Sequence, residues 1–263
     1  MRARESGWRG PPFNPRSLAS FLGIRSSAER LAPGHDAFIF PRNGQQLEIV
    51  FDKAKPVSRQ NFSICHEICH TFFPDAYEMV RNRFERKERF DPEREVEQLC
   101  DIGAAEILMP QEEFWDDVAK YGFSLTAVQP LRERYEASRE AVIRRMVQLD
   151  QRLSAVVFLE YRLKPSELAL ARQMSLNGLL TAPEPKLRIA YSATSPSFKV
   201  FLPSDKSVPD TSCAYEAATT DGFAEGFEAW EISGLPPCRV EAMVMPSGDD
   251  IRAPLKVVAL LRI

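Results

Sequence analysis

Two of the chain's three histidines lie four residues apart, in Cys65-His66-Glu67-Ile68-Cys69-His70. Four positions are little more than one helical turn, so a helix here puts both imidazoles on one face. The neighbouring sequence predicts such a helix from Ser58 to about Phe73, with Phe62, Cys65, Cys69 and Phe72/Phe73 as its apolar stripe and Pro74 as its stop. Zn2+ accepts neutral imidazole at about 2.0–2.1 Å, and two such ligands leave room for a third and for a water. Glu67, beside the first histidine, is placed to take that water's proton and pass it to a leaving amine. H-E-x-x-H also occurs by chance, but here it takes in two of only three histidines. His35, in Gly34-His35-Asp36, reads as a surface residue in a turn.

Other uses of the motif fit less well. Cys65, His66, Cys69 and His70 crowd four ligands into a turn and a half, too tight to close a tetrahedron. Haem attachment needs C-x-x-C-H, and the spacing here is one residue longer. The two cysteines read as small core residues. A third metal ligand must come from elsewhere, and a carboxylate is the natural choice. Asp91-Pro92 is a helix start, and the following helix, which stops at Met109-Pro110, offers Glu93, Glu97 and Asp101 on one face. Helix geometry leaves all three open. Glu106 lies on the other side from Glu97.

Around this motif the chain changes character once. Pro15–Leu22 reads as a helix after a poorly ordered tail of residues 1–14. Phe38–Phe40 and Leu47–Phe51 read as strands joined by a hairpin turn at Asn43-Gly44, and 81–91 as a charged, solvated connection. Helical stretches follow at about 130–136, opened by Pro130, and 139–151, a helix-turn-helix in outline. From Leu153 short β-like runs take over: Ala155–Tyr161, Leu187–Ser192, Lys199–Leu202, Val240–Met245 and Leu255–Ile263, separated by proline-rich turns such as Thr181–Pro185. The fold class is α+β, with a division near residue 151.

Net charge of −3 and 44% hydrophobic residues are ordinary for a globular protein and give no general attraction to nucleic acid or anionic membrane. No segment is long enough to span a bilayer, and the arginines near the N-terminus are followed by no apolar stretch of a secretory signal. Five scattered cysteines in such a chain predict reduced thiols and a cytoplasmic location.

Two blocks carry a resemblance. Arg59-Gln60-Asn61-Phe62-Ser63-Ile64-Cys65-His66-Glu67-Ile68-Cys69-His70, with the later Glu97-Gln98-Leu99-Cys100-Asp101-Ile102-Gly103-Ala104-Ala105-Glu106-Ile107-Leu108-Met109-Pro110, resembles the ImmA/IrrE family of bacterial zinc metallopeptidases. That family pairs R-x-x-F-[ST]-x-x-H-E-x-x-H with E-x-x-A-N-x-F-A-A-E-L-L-M-P. The resemblance implies a metal site of His66, His70 and Glu97, holding zinc or manganese, with Glu67 catalytic. Cys100-Asp101 stands where the family has Ala-Asn, and Gly103 where it has Phe; none of these departures is expected to touch the ligands. Glu106 is expected to be structural.

The resemblance further implies a zincin-like peptidase domain over 1–110, a helix-turn-helix segment over 111–150 and a GAF-like α+β domain over 151–263. Family members cleave a partner helix-turn-helix repressor, which derepresses stress-response or mobile-element genes. The competing reading is a DNA-binding transcriptional regulator with a structural zinc site. Residues 111–150 hold six Lys/Arg against eight Asp/Glu, which argues against a phosphate-binding surface. In the C-terminal region nothing has metal-ligand or nucleophile spacing, and Cys213 and Cys238 read as isolated buried thiols.

Overall fold

The computed structural model describes residues 7, 10–42, 46–73, 93–176, 183–245 and 255–263. The expected Asn43-Gly44 turn, the Pro74 stop, the 81–91 connection, the Asp91-Pro92 start and the first residues of the Thr181–Pro185 turn lie outside them. The architecture is mixed α+β, in two compact units: residues 1–121 with 128–142, and 122–127 with 143–263. Residues 111–150 are thus shared between the units.

In the first unit, helix α1 (Pro15–Phe21) starts where expected, because Asn14 Oδ1 accepts from the free amides of Arg16 and Ser17. Phe13 just before it is 5% exposed, so the end of the expected loose tail is in fact packed. Three strands follow: β1 (Arg25–Glu29), β2 (Ala37–Arg42) and β3 (Gln46–Asp52). β3 is central, antiparallel to β2 and parallel to β1. β1 was not expected, since Arg-Ser-Ser-Ala-Glu carries no apolar alternation; it is an edge strand recruited by backbone pairing to β3. Buried Glu48 on β3 fastens both neighbours, accepting from Ser27 Oγ at 2.9 Å and from Arg42 at 2.6 Å.

Against this sheet packs helix α2 (Val57–His70), which carries the histidine motif. Its start is tied down by Arg59 Nε donating to Asp36 at 2.6 Å and by Gln60 donating to the Lys55 carbonyl at 2.7 Å. The apolar stripe differs from the expected one. Ile64 and Ile68 are fully buried with Leu18, Ile39, Ile49 and Phe51, whereas Phe72 is exposed. Each isoleucine contributes roughly 1.5–3 kcal/mol on burial, so this face fixes the helix's rotation about its axis. Helix α3 (Glu93–Leu108) lies along α2, and α4 (Gln111–Tyr121) follows after Pro110. α5 (Val128–Tyr135) begins two residues before Pro130, which falls in its first turn. Phe114 of α4 and Tyr135 of α5 meet edge-on at 5.2 Å, and Asp117 accepts from the Tyr135 hydroxyl and from Arg134. Helix α6 (Arg139–Leu149) spans the division between the units.

The second unit is built on a five-stranded antiparallel sheet ordered β5-β4-β8-β7-β6: β4 (Ser154–Arg162), β5 (Lys186–Thr194), β6 (Phe223–Glu228), β7 (Cys238–Met245) and β8 (Lys256–Arg262). One face presents Ala155, Val157, Val240, Ala259 and Leu261 to a core completed by Phe198, Leu202, Trp230 and Ile232. Helices α7 (Pro165–Leu176) and α8 (Cys213–Thr220) join the strands. Buried Glu241 on β7 accepts from Ser124 Oγ at 2.7 Å and from the Leu125 amide at 2.8 Å, and pairs with Arg262.

Four of the five expected strands form. Lys199–Leu202 does not: Phe198 and Leu202 are buried but Phe201 is 78% exposed, and the flanking amides of Phe198 and Lys206 close turns instead of a ladder. β6 and helices α7 and α8 were not foreseen.

Candidate metal centre

The site lies between α2 and α3, in the first unit. The two helices approach closely because residue 103 has no side chain: a Cβ there would lie 2.6 Å from Cys69 Sγ. That contact brings the second half of α2 against the middle of α3 and faces the histidines with acidic groups.

His66 Nε2 and His70 Nε2 are 3.2 Å apart. Glu97 Oε2 is 2.9 Å from His66 Nε2, and Glu97 Oε1 is 3.6 Å from His70 Nε2. Ligands at about 2.1 Å from a tetrahedral ion would be separated by about 3.4 Å, so these atoms mark three corners of one. His70 is 5% exposed, and Glu97 is partly open to solvent. Glu67 points into protein at 6% exposure, and its Oε2 has no hydrogen-bond partner among the described residues. A buried carboxylate oxygen left unpaired is costly, which fits a group whose partner arrives with metal, water or substrate. The donor set, two imidazoles and a carboxylate, suits zinc.

The residues behind the ligands differ from expectation. Cys100 and Asp101 were not expected to touch them, yet both do. Asp101 Oδ1 is 2.9 Å from His66 Nδ1, and Cys100 Sγ is 3.4 Å from His70 Nδ1. Spacings of three and four from Glu97 put all three on one face of α3; that spacing is the signal that marks them. His66, His70 and Cys100 also have candidate ligand atoms within 4.8 Å of one another. The contact to Cys100, however, uses His70 Nδ1, on the opposite ring edge from the nitrogen that meets His66 and Glu97. The carboxylate that approaches both Nε2 nitrogens is that of Glu97, whereas Cys100 meets only the Nδ1 edge of His70. Of the other candidates, Glu93's side chain lies outside the described residues, and His35 is exposed in a turn. Glu106 Oε1 accepts from the Gln111 amide at 3.1 Å, a structural role at the start of α4.

Burial raises Cys65 well above the ordinary thiol value and Cys69 to about 12, so both are neutral packing groups.

Residues 21–147 match the peptidase M78 family, described as the IrrE N-terminal-like domain. Through this segment the chain is similar to the ImmA/IrrE family. Two ImmA/IrrE relatives are each a radiation response metalloprotease IrrE. The protein from Deinococcus deserti is 29% identical over 85 residues, 32% of this chain and 30% of its own length. The one from Deinococcus radiodurans is 27% identical over 95 residues, 36% of this chain and 29% of its own. The matched stretch thus spans under a third of either relative. A solved structure, a Mycobacterium tuberculosis transcriptional regulator, shares the fold at a TM-score of 0.62 over 98% of this chain and 72% of that one, at 15% identity. No helix among the described residues is long and apolar enough to cross a membrane.

Proposed function

We propose that this protein is an ImmA/IrrE-type zinc-dependent endopeptidase that cuts a helix-turn-helix transcriptional repressor, releasing stress-response or mobile-element genes, in the cytoplasm. The observation that carries the metallopeptidase reading is the convergence of His66 Nε2, His70 Nε2 and Glu97 at tetrahedral spacing; the buried, unpaired Oε2 of Glu67, next to His66 in sequence, supports its role. The two imidazoles and the Glu97 carboxylate would hold zinc, with manganese as an alternative. When bound, the ion supplies Lewis acidity to a peptide carbonyl and eases ionisation of a water. Glu67 acts as the proton carrier: its buried Oε2 takes a proton from the attacking water and returns it to the leaving nitrogen. The repressor and the regulated genes are carried over from the family resemblance. The GAF-like reading of residues 151–263 is supported by an antiparallel sheet with interposed helices.

The test is Glu67→Gln. Because Glu67 is no ligand, the variant should keep its zinc and its fold while cleavage of a cognate repressor falls at least about 100-fold. Cleavage that persists in zinc-loaded Glu67→Gln protein refutes this role.

A second reading, direct DNA binding, is favoured by the fold shared with a transcriptional regulator. The charges oppose it. Of the six cations in residues 111–150, Arg134 is paired with Asp117 and Arg145 is buried. A salt-sensitive, sequence-specific shift of duplex DNA by the full chain at physiological salt would establish it; no shift is expected.

A further inference from the structure

Resting on the metal-site reading above, we infer that Asp101 is a positioning residue that holds His66 in the one tautomer able to bind the ion. The His66 ring lies between two carboxylates on one face of α3, with Glu97 at Nε2 and Asp101 at Nδ1, each at 2.9 Å. A neutral imidazole carries its proton on one nitrogen only. An ionised carboxylate can only accept; with an ion held between Nε2 and Glu97, the Nε2 lone pair is taken by the ion, and the hydrogen bond to Asp101 then uses the proton on Nδ1. The same bond fixes the ring plane. A carboxylate behind a metal-binding histidine also makes the ligand nitrogen more basic.

Asp101 follows Cys100 where the family pattern has Ala-Asn, so a charged acceptor stands where an amide is usual. An amide oxygen can accept the same hydrogen bond without the charge. The two contributions, orientation and charge, are therefore separable by substitution. Because the Asp101 side chain is 60% exposed, its effect belongs at the low end of the 10–100-fold range typical for such partners.

The experiment measures zinc affinity of the full chain by chelator competition for wild type, Asp101→Ala, Asp101→Asn and Glu95→Ala. Glu95 is an exposed acid on the same helix and controls for loss of one charge. Asp101→Ala should bind about 10-fold more weakly, Asp101→Asn within about threefold of wild type, and Glu95→Ala as wild type. Nitrogen-15 spectra of histidine-labelled, zinc-loaded protein add a readout that general destabilisation would not move. His66 should appear protonated at Nδ1 with a hydrogen-bonded proton signal, and that signal should be lost in Asp101→Ala and kept in Asp101→Asn. Wild-type affinity with an unchanged His66 signal in Asp101→Ala overturns the inference while leaving the metal site standing. Equal weakening by Glu95→Ala overturns it too, since charge alone would then explain the effect. Wild-type protein that takes up no zinc overturns both the inference and the metallopeptidase reading.

Discussion

Gly103 on α3 faces Cys69 on α2 so closely that an added Cβ would come within 2.6 Å of the sulfur and 3.5 Å of Cys69 Cβ. Gly103→Ala should therefore cost about 1–3 kcal/mol from overpacking, despite alanine's better helix propensity. Shrinking the opposing group with Cys69→Ala in the same chain should recover much of that loss. Denaturant midpoints of the two single variants and the double variant give the coupling directly. Simple additivity would mean the helices separate freely at this point.

Which residue completes the site is decided by comparing Glu97→Ala with Cys100→Ala. Glu97→Ala should lose most of its zinc, because two imidazoles alone hold the ion poorly. Cys100→Ala should keep it, since Cys100 Sγ meets His70 at Nδ1, on the far ring edge from Nε2. Cobalt-substituted wild-type protein should accordingly lack a thiolate charge-transfer band. The reverse pattern would move the third corner to the cysteine.

All five cysteines are buried and unbridged. Burial pushes Cys69 and Cys213 up to about 12 and Cys238 up to about 11, and Cys65 rises in the same direction. These four thiols are protonated at pH 8, so a water-soluble disulfide reagent should modify them no faster than the chain opens. Rapid labelling of any of them in folded protein, read by mass spectrometry, contradicts that.

Glu48 gives an acid-sensitive fastening in the small sheet. Its hydrogen bond from Arg42 holds the carboxyl below its ordinary value of 4.5, assisted by Ser27 and opposed by burial. A lowered folded pKa favours the native state above the unfolded value, and that contribution disappears as pH falls through the folded value. Glu48→Gln should therefore lower stability at pH 7 and converge with wild type in strong acid. Parallel thermal-stability curves for the two proteins across that range would show that the ion pair contributes nothing.

The histidine helix was readable because it rests on a hard geometric rule: His66 and His70 at four-residue spacing share a face in any α-helix. The start at Asn14-Pro15 and the apolar runs of β4 and β8 were readable for similar local reasons. β1 was not, because Arg25–Glu29 owes its extended form to pairing with β3 and not to its own side chains. Lys199–Leu202 misled because alternating apolar residues also serve an irregular segment that buries Phe198 and Leu202 and packs Val200 partly against the same core. The contacts of Cys100 and Asp101 needed the distance between two helices, which depends on the absent side chain at Gly103. Motif comparison treats that glycine as a mere departure.

β8 runs between β4 and β7 and pairs with both along its length, although it is the last strand in sequence. Without it, β4–β5 and β6–β7 are two separate antiparallel strand pairs with no ladder between them among the described residues. The five-stranded sheet is therefore complete only once β8 has paired with both β4 and β7, contacts of large sequence separation that close a long chain loop. During synthesis the two strand pairs emerge before β8, with unpaired edges at β4 and β7. A ribosome-stalled chain ending before Lys256 should consequently engage chaperones or aggregate, while one extended past Arg262 by the length of the exit tunnel should not.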